Sequence, residues 1–119
     1  MSQFTDNVTL LDAVTATTTS ATFDISKRSR VGIVLLAASI TSGSGIFTVD
    51  LSNDGTNWIQ MAAMQDAQAT ASTTWVTSKT LTANTTAGLL LPRNGWKAIR
   101  INVVRATDGA YTAIMESGE

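Results

Sequence analysis

The stretch from Gly45 to Gln60 constrains the fold more than any other part of the chain. Apolar and polar residues alternate from Phe47 to Ser52, which is the period of a strand with one buried face. The Asn-Asp-Gly sequence at 53–55 follows, and these residue types tolerate the positive φ angles of a tight turn. The chain can therefore reverse and bring Trp58 back along the first strand. The stretch predicts an antiparallel hairpin.

Similar short alternating segments recur along the rest of the chain. Val8 to Ala16 alternates imperfectly and predicts a strand with a bulge, whereas Trp96 to Arg105 alternates cleanly. The turn at 106–109 predicts a last hairpin, with Tyr111 to Met115 as the closing strand. About eight or nine short strands without βαβ alternation indicate an all-β fold, an antiparallel, jelly-roll-like β-sandwich. Residues 1–119 are expected to form a single domain.

The composition argues against several classes of function. A net charge of -1 with 14% charged residues provides no basic surface for nucleic acid or an anionic membrane. The absence of Cys and His excludes disulfides, zinc–thiolate sites and Ser-His or Cys-His catalysis. The chain shows neither a secretory signal nor a long apolar run, so we expect a soluble protein that is not exported by that route.

The carboxylates do not indicate an enzyme or a metal site. Asp54 and Asp108 both precede glycine, and a turn role explains them better than acid catalysis. Asp50, Asn53, Asp54 and Asn57 could offer oxygen atoms to calcium, but their spacing departs from the calcium-binding loop and no Glu follows at the right distance. We therefore expect no catalytic residues, no cofactor and no metal.

The most apolar segment, from Val31 to Ile40, would be apolar on both faces of a strand. Such a strand either lies in mid-sheet with both sides covered or offers one face to another subunit. We take it as the candidate surface for self-association and expect a homo-oligomer, with a trimer as the favoured state. The predicted interface residues are Val31, Ile33, Leu35, Leu36 and Ile40.

Two patterns carry a resemblance to known proteins: S-x-D-G-x-x-W at Ser52 to Trp58, and the later strand from Trp96 to Ile101. They are similar to patterns in discoidin-like, galactose-binding-like β-sandwiches. The chain also resembles small β-sandwich structural proteins of tailed bacteriophages, such as capsid decoration and fibre-associated proteins. Discoidin domains are usually longer, and their extracellular animal examples have a terminal disulfide, whereas this short chain lacks cysteine. The phage group is therefore the closer match.

The phage resemblance implies a virion protein, made in the host cytoplasm, that decorates and stabilises a capsid as a homo-oligomer. Its partner would be the major capsid protein. Residues 1–7 are polar and aperiodic, so we expect a flexible N-terminal arm that orders on binding. The predicted capsid-docking residues within it are Ser2, Gln3, Phe4 and Thr5.

The alternative hypothesis is a carbohydrate-binding module of a phage fibre or a cell-surface protein. Flat aromatic faces stack on sugar rings, and Trp75 and Tyr111 are the candidate platform.

Overall fold

The computed structural model of the chain describes residues 6–27, 30–60, 62–66, 75–91 and 96–118. These residues form twelve β-strands, more than the sequence predicts because several strands are only two or three residues long. The strands are β1 (Asp6–Val14), β2 (Thr18–Thr19), β3 (Phe23–Asp24), β4 (Arg30–Ala38), β5 (Ser44–Ser52), β6 (Trp58–Ile59), β7 (Met64–Asp66), β8 (Trp75–Val76), β9 (Lys79–Leu81), β10 (Thr85–Leu90), β11 (Ala98–Ala106) and β12 (Ala110–Gly118). No helix long and apolar enough to cross a bilayer occurs among the described residues.

The strands form two antiparallel sheets that pack together as a β-sandwich, which confirms the predicted fold class. Sheet A has the order β1-β12-β4-β10-β7-β8. Sheet B has the order β2-β11-β5-β6, with β3 also paired to β11 and β9 to β5. The core lies between the sheets.

The hairpin predicted from the first alternating stretch is present in sheet B. β5 pairs with β6 through Leu51 opposite Ile59 and Ser52 opposite Trp58. β5 also pairs with β11 along its full length, from Ser44 opposite Ala106 to Ser52 opposite Ala98. The inward side chains of both strands are fully buried, as the alternation predicts. They are Phe47, Val49, Leu51, Ile99, Ile101 and Val103.

The apolar strand β4 lies in the middle of sheet A, between β12 and β10. Val31, Ile33 and Leu35 point into the core of the same subunit, with at most 9% of each residue exposed. The prediction that these three form a self-interface is therefore wrong, because the other sheet covers them. Ile40 is half-buried and packs against the edge of the same core. Leu36 faces the opposite way and remains partly exposed.

The first strand begins earlier than the sequence predicts. Asp6 and Asn7 already pair with Ser117 and Glu116 of β12, so the predicted arm at 1–7 does not extend through its last two residues. The predicted docking residues Ser2, Gln3, Phe4 and Thr5 lie outside the described residues. The register of β1 shifts on either side of Leu11, which confirms the predicted bulge.

The last predicted hairpin is wrong. The turn after β11 carries the chain from sheet B to sheet A, where β12 pairs with β1 and β4. Tyr111 therefore starts a strand of the opposite sheet, and its ring is fully buried in the core.

Candidate functional site

The outward side chains of β5 and β11 meet across sheet B in three opposed pairs. Asp50 lies opposite Arg100, Thr48 opposite Asn102, and Ile46 opposite Val104. Successive side chains of a strand alternate between faces, so the burial of Val49 and Ile101 in the core directs these six side chains outward.

These side chains line an open groove with a volume of about 550 Å³ on the outer face of sheet B. Thr19 of β2 borders it on the β11 side, and Gln60 follows β6. The complete lining consists of Thr19, Ile46, Thr48, Asp50, Gln60, Arg100, Asn102 and Val104.

The floor of the groove contains an ion pair. The Arg100 guanidinium donates a hydrogen bond from Nε to Oδ2 of Asp50 at 2.9 Å. The Asp50 side chain is only 5% exposed, whereas that of Arg100 is 27% exposed. The guanidinium also lies over the Trp58 ring, with its Cζ 4.3 Å from the ring centroid. The buried carboxylate and the aromatic ring together hold the guanidinium in place.

Asn102 is held in one orientation by its neighbours. Its Nδ2 group donates to Oγ1 of Thr48 and to Oδ2 of Asp50, both at 3.2 Å. Its Oδ1 accepts a hydrogen bond of 2.8 Å from the Thr19 hydroxyl. The floor is therefore a connected polar network with no net charge, since one carboxylate balances one guanidinium.

One end of the groove is apolar. Ile46 is 38% exposed and Val104 is 52% exposed, and the two lie opposite each other in the ladder. A ligand in the groove would therefore meet a donor at the Arg100 guanidinium, an acceptor at Oδ1 of Asn102 and an aliphatic surface beside them.

The turn after β5 is built around Asp54. Its carboxylate accepts hydrogen bonds from the backbone N–H groups of Asn57 at 2.7 Å and Thr56 at 2.8 Å. These hydrogen bonds hold the pKa of the Asp54 carboxyl well below its usual value of 3.8. The predicted turn role of Asp54 is confirmed.

The predicted sugar platform of Trp75 and Tyr111 is not formed. Trp75 is 55% exposed on β8, at the edge of sheet A, but Tyr111 is 0% exposed. The Tyr111 ring packs edge-to-face on Phe47 in the core, with centroids 5.9 Å apart. It has no exposed face for a sugar, because the chain crosses between the sheets just before it.

A second surface, the outer face of sheet A, is largely apolar. Val34 lies between Ile114 of β12 and Gly88 of β10 in the ladder, and Leu36 lies between Thr112 and Thr86. We call Val34, Leu36, Leu90 and Ile114 the apolar face of sheet A. Leu90 is 40% exposed, and the other three are partly exposed. Leu36 is the residue of the predicted self-interface that lies on this face.

The two packed antiparallel sheets define the protein as a β-sandwich, and each sheet has an outer face that is open to a ligand or a partner. Comparison with protein-family models and with curated protein sequences finds no match. Among solved structures, the chain is similar to the crystal structure of the SPBc2 prophage-derived protein YomS, with a TM-score of 0.72. The superposition covers 95% of this chain and 92% of that one at 12% sequence identity. The similarity is one of fold.

Proposed function

We propose that the chain is a virion structural protein of a tailed bacteriophage that assembles as a homo-oligomer, with a trimer favoured, and decorates and stabilises the capsid. The observation that carries the proposal is the apolar face of sheet A. The fold shared with a prophage-derived protein supports a phage setting. Such a role requires neither catalysis nor a cofactor, and its partner is the major capsid protein rather than nucleic acid or a membrane.

The apolar face lies within a larger surface, the outer face of sheet A, which also carries Thr86, Thr112 and Glu116. Strands β1, β4 and β12 each contain nine residues, and β10 extends the same sheet beside β4. At about 3.3 Å per residue and about 4.8 Å between strands, the four strands span roughly 500 Å². Two such surfaces in full contact would bury on the order of 1,000 Å², which is the area that a biological interface needs at least.

The chemistry of this face fits another copy of the same chain. Its central residues Val34, Leu36 and Ile114 are aliphatic, and Glu116 lies towards one end, opposite Gly32. Aliphatic surfaces associate by excluding water and need no complementary charge on a different partner. Two-fold pairing would place the whole face against itself, whereas in a closed trimer each subunit would place one half of the face against each neighbour, so each contact would bury about half of that area.

The mass in solution tests the homo-oligomer. Light scattering behind size exclusion should give a constant oligomer mass over roughly 0.1 to 100 μM, and Leu36→Glu should give folded monomers. Val104→Glu is the control, since it places the same charge on the outer face of sheet B. A folded wild-type monomer would overturn the proposed self-association. A dimer mass would overturn the trimer but keep the homo-oligomer. If the Leu36→Glu variant remained an oligomer, the apolar face of sheet A would not be the interface.

The capsid role is tested separately by cosedimentation. The purified chain should sediment with empty shells of the major capsid protein encoded in the same genome, and should raise the temperature at which those shells break. Shells that neither bind the chain nor gain stability would contradict the capsid assignment, whatever the oligomeric state.

A further inference from the structure

The groove on the outer face of sheet B is not used by the proposed assembly. It lies on the opposite side of the sandwich from the apolar face of sheet A, because the two faces belong to different sheets. We propose that this groove binds a neutral saccharide, which would give the virion protein a second function in attachment to polysaccharide surfaces. The inference does not depend on the oligomeric state.

The charge of the groove excludes several other ligands. An anion such as phosphate would approach Arg100, but the Asp50 carboxylate already neutralises that guanidinium at 2.9 Å. A cation would meet the guanidinium itself. Nucleobases would need an open aromatic face, and the Arg100 guanidinium covers one face of Trp58. An uncharged ligand is repelled by neither the Asp50 carboxylate nor the Arg100 guanidinium.

The backbone around the groove disfavours an extended peptide. Peptides commonly bind by adding a strand to an open sheet edge. β5 and β11 are interior strands, and each is paired on both sides within sheet B. A ligand on this face therefore contacts side chains and not the backbone of a sheet edge. It needs hydrogen-bonding groups along the surface that it turns towards the groove.

The other polar side chains of the groove can form hydrogen bonds with the hydroxyl groups of a sugar. A sugar hydroxyl both donates and accepts, and the groove presents both kinds of group: the Arg100 guanidinium and the Gln60 amide can donate, and Oδ1 of Asn102 and the hydroxyl oxygens of Thr19 and Thr48 can accept. The hydrogen bonds around Asn102 hold Thr19, Thr48 and Asn102 in place before a ligand arrives, which lowers the entropy cost of binding.

The apolar end of the groove suits the C–H face of a sugar ring. Ile46 and Val104 are both exposed and lie opposite each other, directly beside the Thr48 and Asn102 pair. A pyranose carries hydroxyls at its rim and C–H groups on its faces, so one ring can contact both parts of the groove. The volume of about 550 Å³ lies within the range of small-ligand sites.

Chemical-shift mapping on the whole chain tests the site. Uniformly ¹⁵N-labelled protein is titrated with neutral oligomers of glucose, galactose, mannose and N-acetylglucosamine, each up to about 10 mM. At least one should shift the backbone amides of β5 and β11, with a Kd between roughly 10 μM and 1 mM. No shifts with any of the four, or shifts confined to sheet A, would overturn the proposal.

A matched pair of variants locates the ligand within sheet B. Val104→Glu places a carboxylate at the apolar end of the groove, whereas Ile59→Glu places one at a residue that is 51% exposed and outside the groove lining. Both positions are exposed strand residues, so both variants should remain folded. Val104→Glu should weaken binding roughly tenfold or more, and Ile59→Glu by less than about twofold. Equal affinities for the two variants would place the ligand elsewhere.

Discussion

The backbone N–H of Gly43 donates a hydrogen bond of 2.9 Å to the carboxylate of Asp108, which lies 65 residues further along the chain. The N–H groups of Thr41 and Ser42 donate to the same carboxylate at 3.2 Å. One side chain thus joins the β4–β5 loop to the β11–β12 turn, where the chain crosses between the sheets at two places. Burial raises the pKa of the Asp108 carboxyl, but these N–H groups outweigh it and hold the pKa below 3.8.

Replacing this carboxylate should loosen that end of the sandwich. Asp108→Asn keeps the shape of the side chain but removes the charge that three N–H donors share, so we expect the melting temperature to fall by a few degrees. Asp12→Asn makes the same chemical change at an exposed position of β1 and should leave the melting temperature unchanged. Equal melting temperatures for the two variants would show that the connection contributes nothing.

The same hydrogen bonds predict acid destabilisation. The pKa values of Asp54 and Asp108 are lower in the folded chain than the ordinary 3.8, so their contribution to stability is complete above that pH. This contribution is lost as the pH falls through the lowered pKa values, because the unfolded chain binds protons at these carboxylates more readily than the folded chain does. With no histidine, the side chains should leave stability nearly flat between about pH 5 and 8.

Urea denaturation as a function of pH measures this effect. The free energy of unfolding should decrease below about pH 4, and the decrease should be smaller in Asp108→Asn. A steep change near neutral pH would contradict the prediction.

Two glycines should respond differently to the same substitution. A Cβ on Gly45 would overlap the Tyr111 ring, which is fixed in the core, so Gly45→Ala should cost roughly 1–3 kcal/mol. Gly55 has a φ of 80° with open space around it, and Gly55→Ala should cost only the backbone strain, about 1 kcal/mol. Chemical denaturation compares the two, and a larger loss for Gly55→Ala would contradict the packing argument.

The contributions of Arg100 and Asp50 to the free energy of unfolding should be coupled, because the two residues form the ion pair on the floor of the groove. Arg100→Ala removes the guanidinium that donates to the nearly buried Asp50 carboxylate, and we expect a loss of about 2 kcal/mol in the free energy of unfolding. Arg100→Ala combined with Asp50→Ala should lose less than the sum of the single variants. A double-mutant cycle by urea denaturation measures that coupling, and additive losses would show that the contact contributes no stability.

Local patterns in the sequence predict the strands better than they predict which strands become neighbours. The hairpin from Gly45 to Gln60 is readable because the alternation and the Asn-Asp-Gly turn lie within one short segment. The turn at 106–109 signals a reversal equally well, but it does not reveal whether the next strand pairs with β11 or crosses to the other sheet. The alternative sugar platform therefore includes Tyr111, which the crossing between sheets places in the core.

The groove shows the same limit. Alternation already directs Asp50 and Arg100 away from the core, because each lies between two inward residues of its strand. Their approach to 2.9 Å depends on the register between β5 and β11, and no local pattern specifies a pairing between residues 50 positions apart. Val31, Ile33 and Leu35 are misplaced in the predicted self-interface for another reason: an apolar run on both faces of a strand does not reveal which face the second sheet covers.

The buried Tyr111 provides a last prediction, because it is the single tyrosine of the chain. Its hydroxyl donates a hydrogen bond of 2.9 Å to the backbone carbonyl of Asp108. Tyr111→Phe removes that hydrogen bond but keeps the ring on Phe47, so we expect a loss of about 1 kcal/mol in urea denaturation. Saccharide binding in the groove should not change. A loss of binding in this variant would contradict the assignment of the saccharide to the groove.

The ionisation of the same residue can be followed directly by phenolate absorbance. Burial, followed by the charge of Asp108, raises the pKa of the Tyr111 phenol above its usual 10.0. The phenol therefore contributes stability in full below pH 10, and this contribution is lost as the pH rises through the raised value, since the unfolded chain ionises first. A spectrophotometric titration of the folded protein should show a midpoint above 10.0, and Tyr111→Phe should unfold less steeply in alkali. A midpoint at or below 10.0 would mean that water reaches the ring in solution and that this end of the sandwich opens.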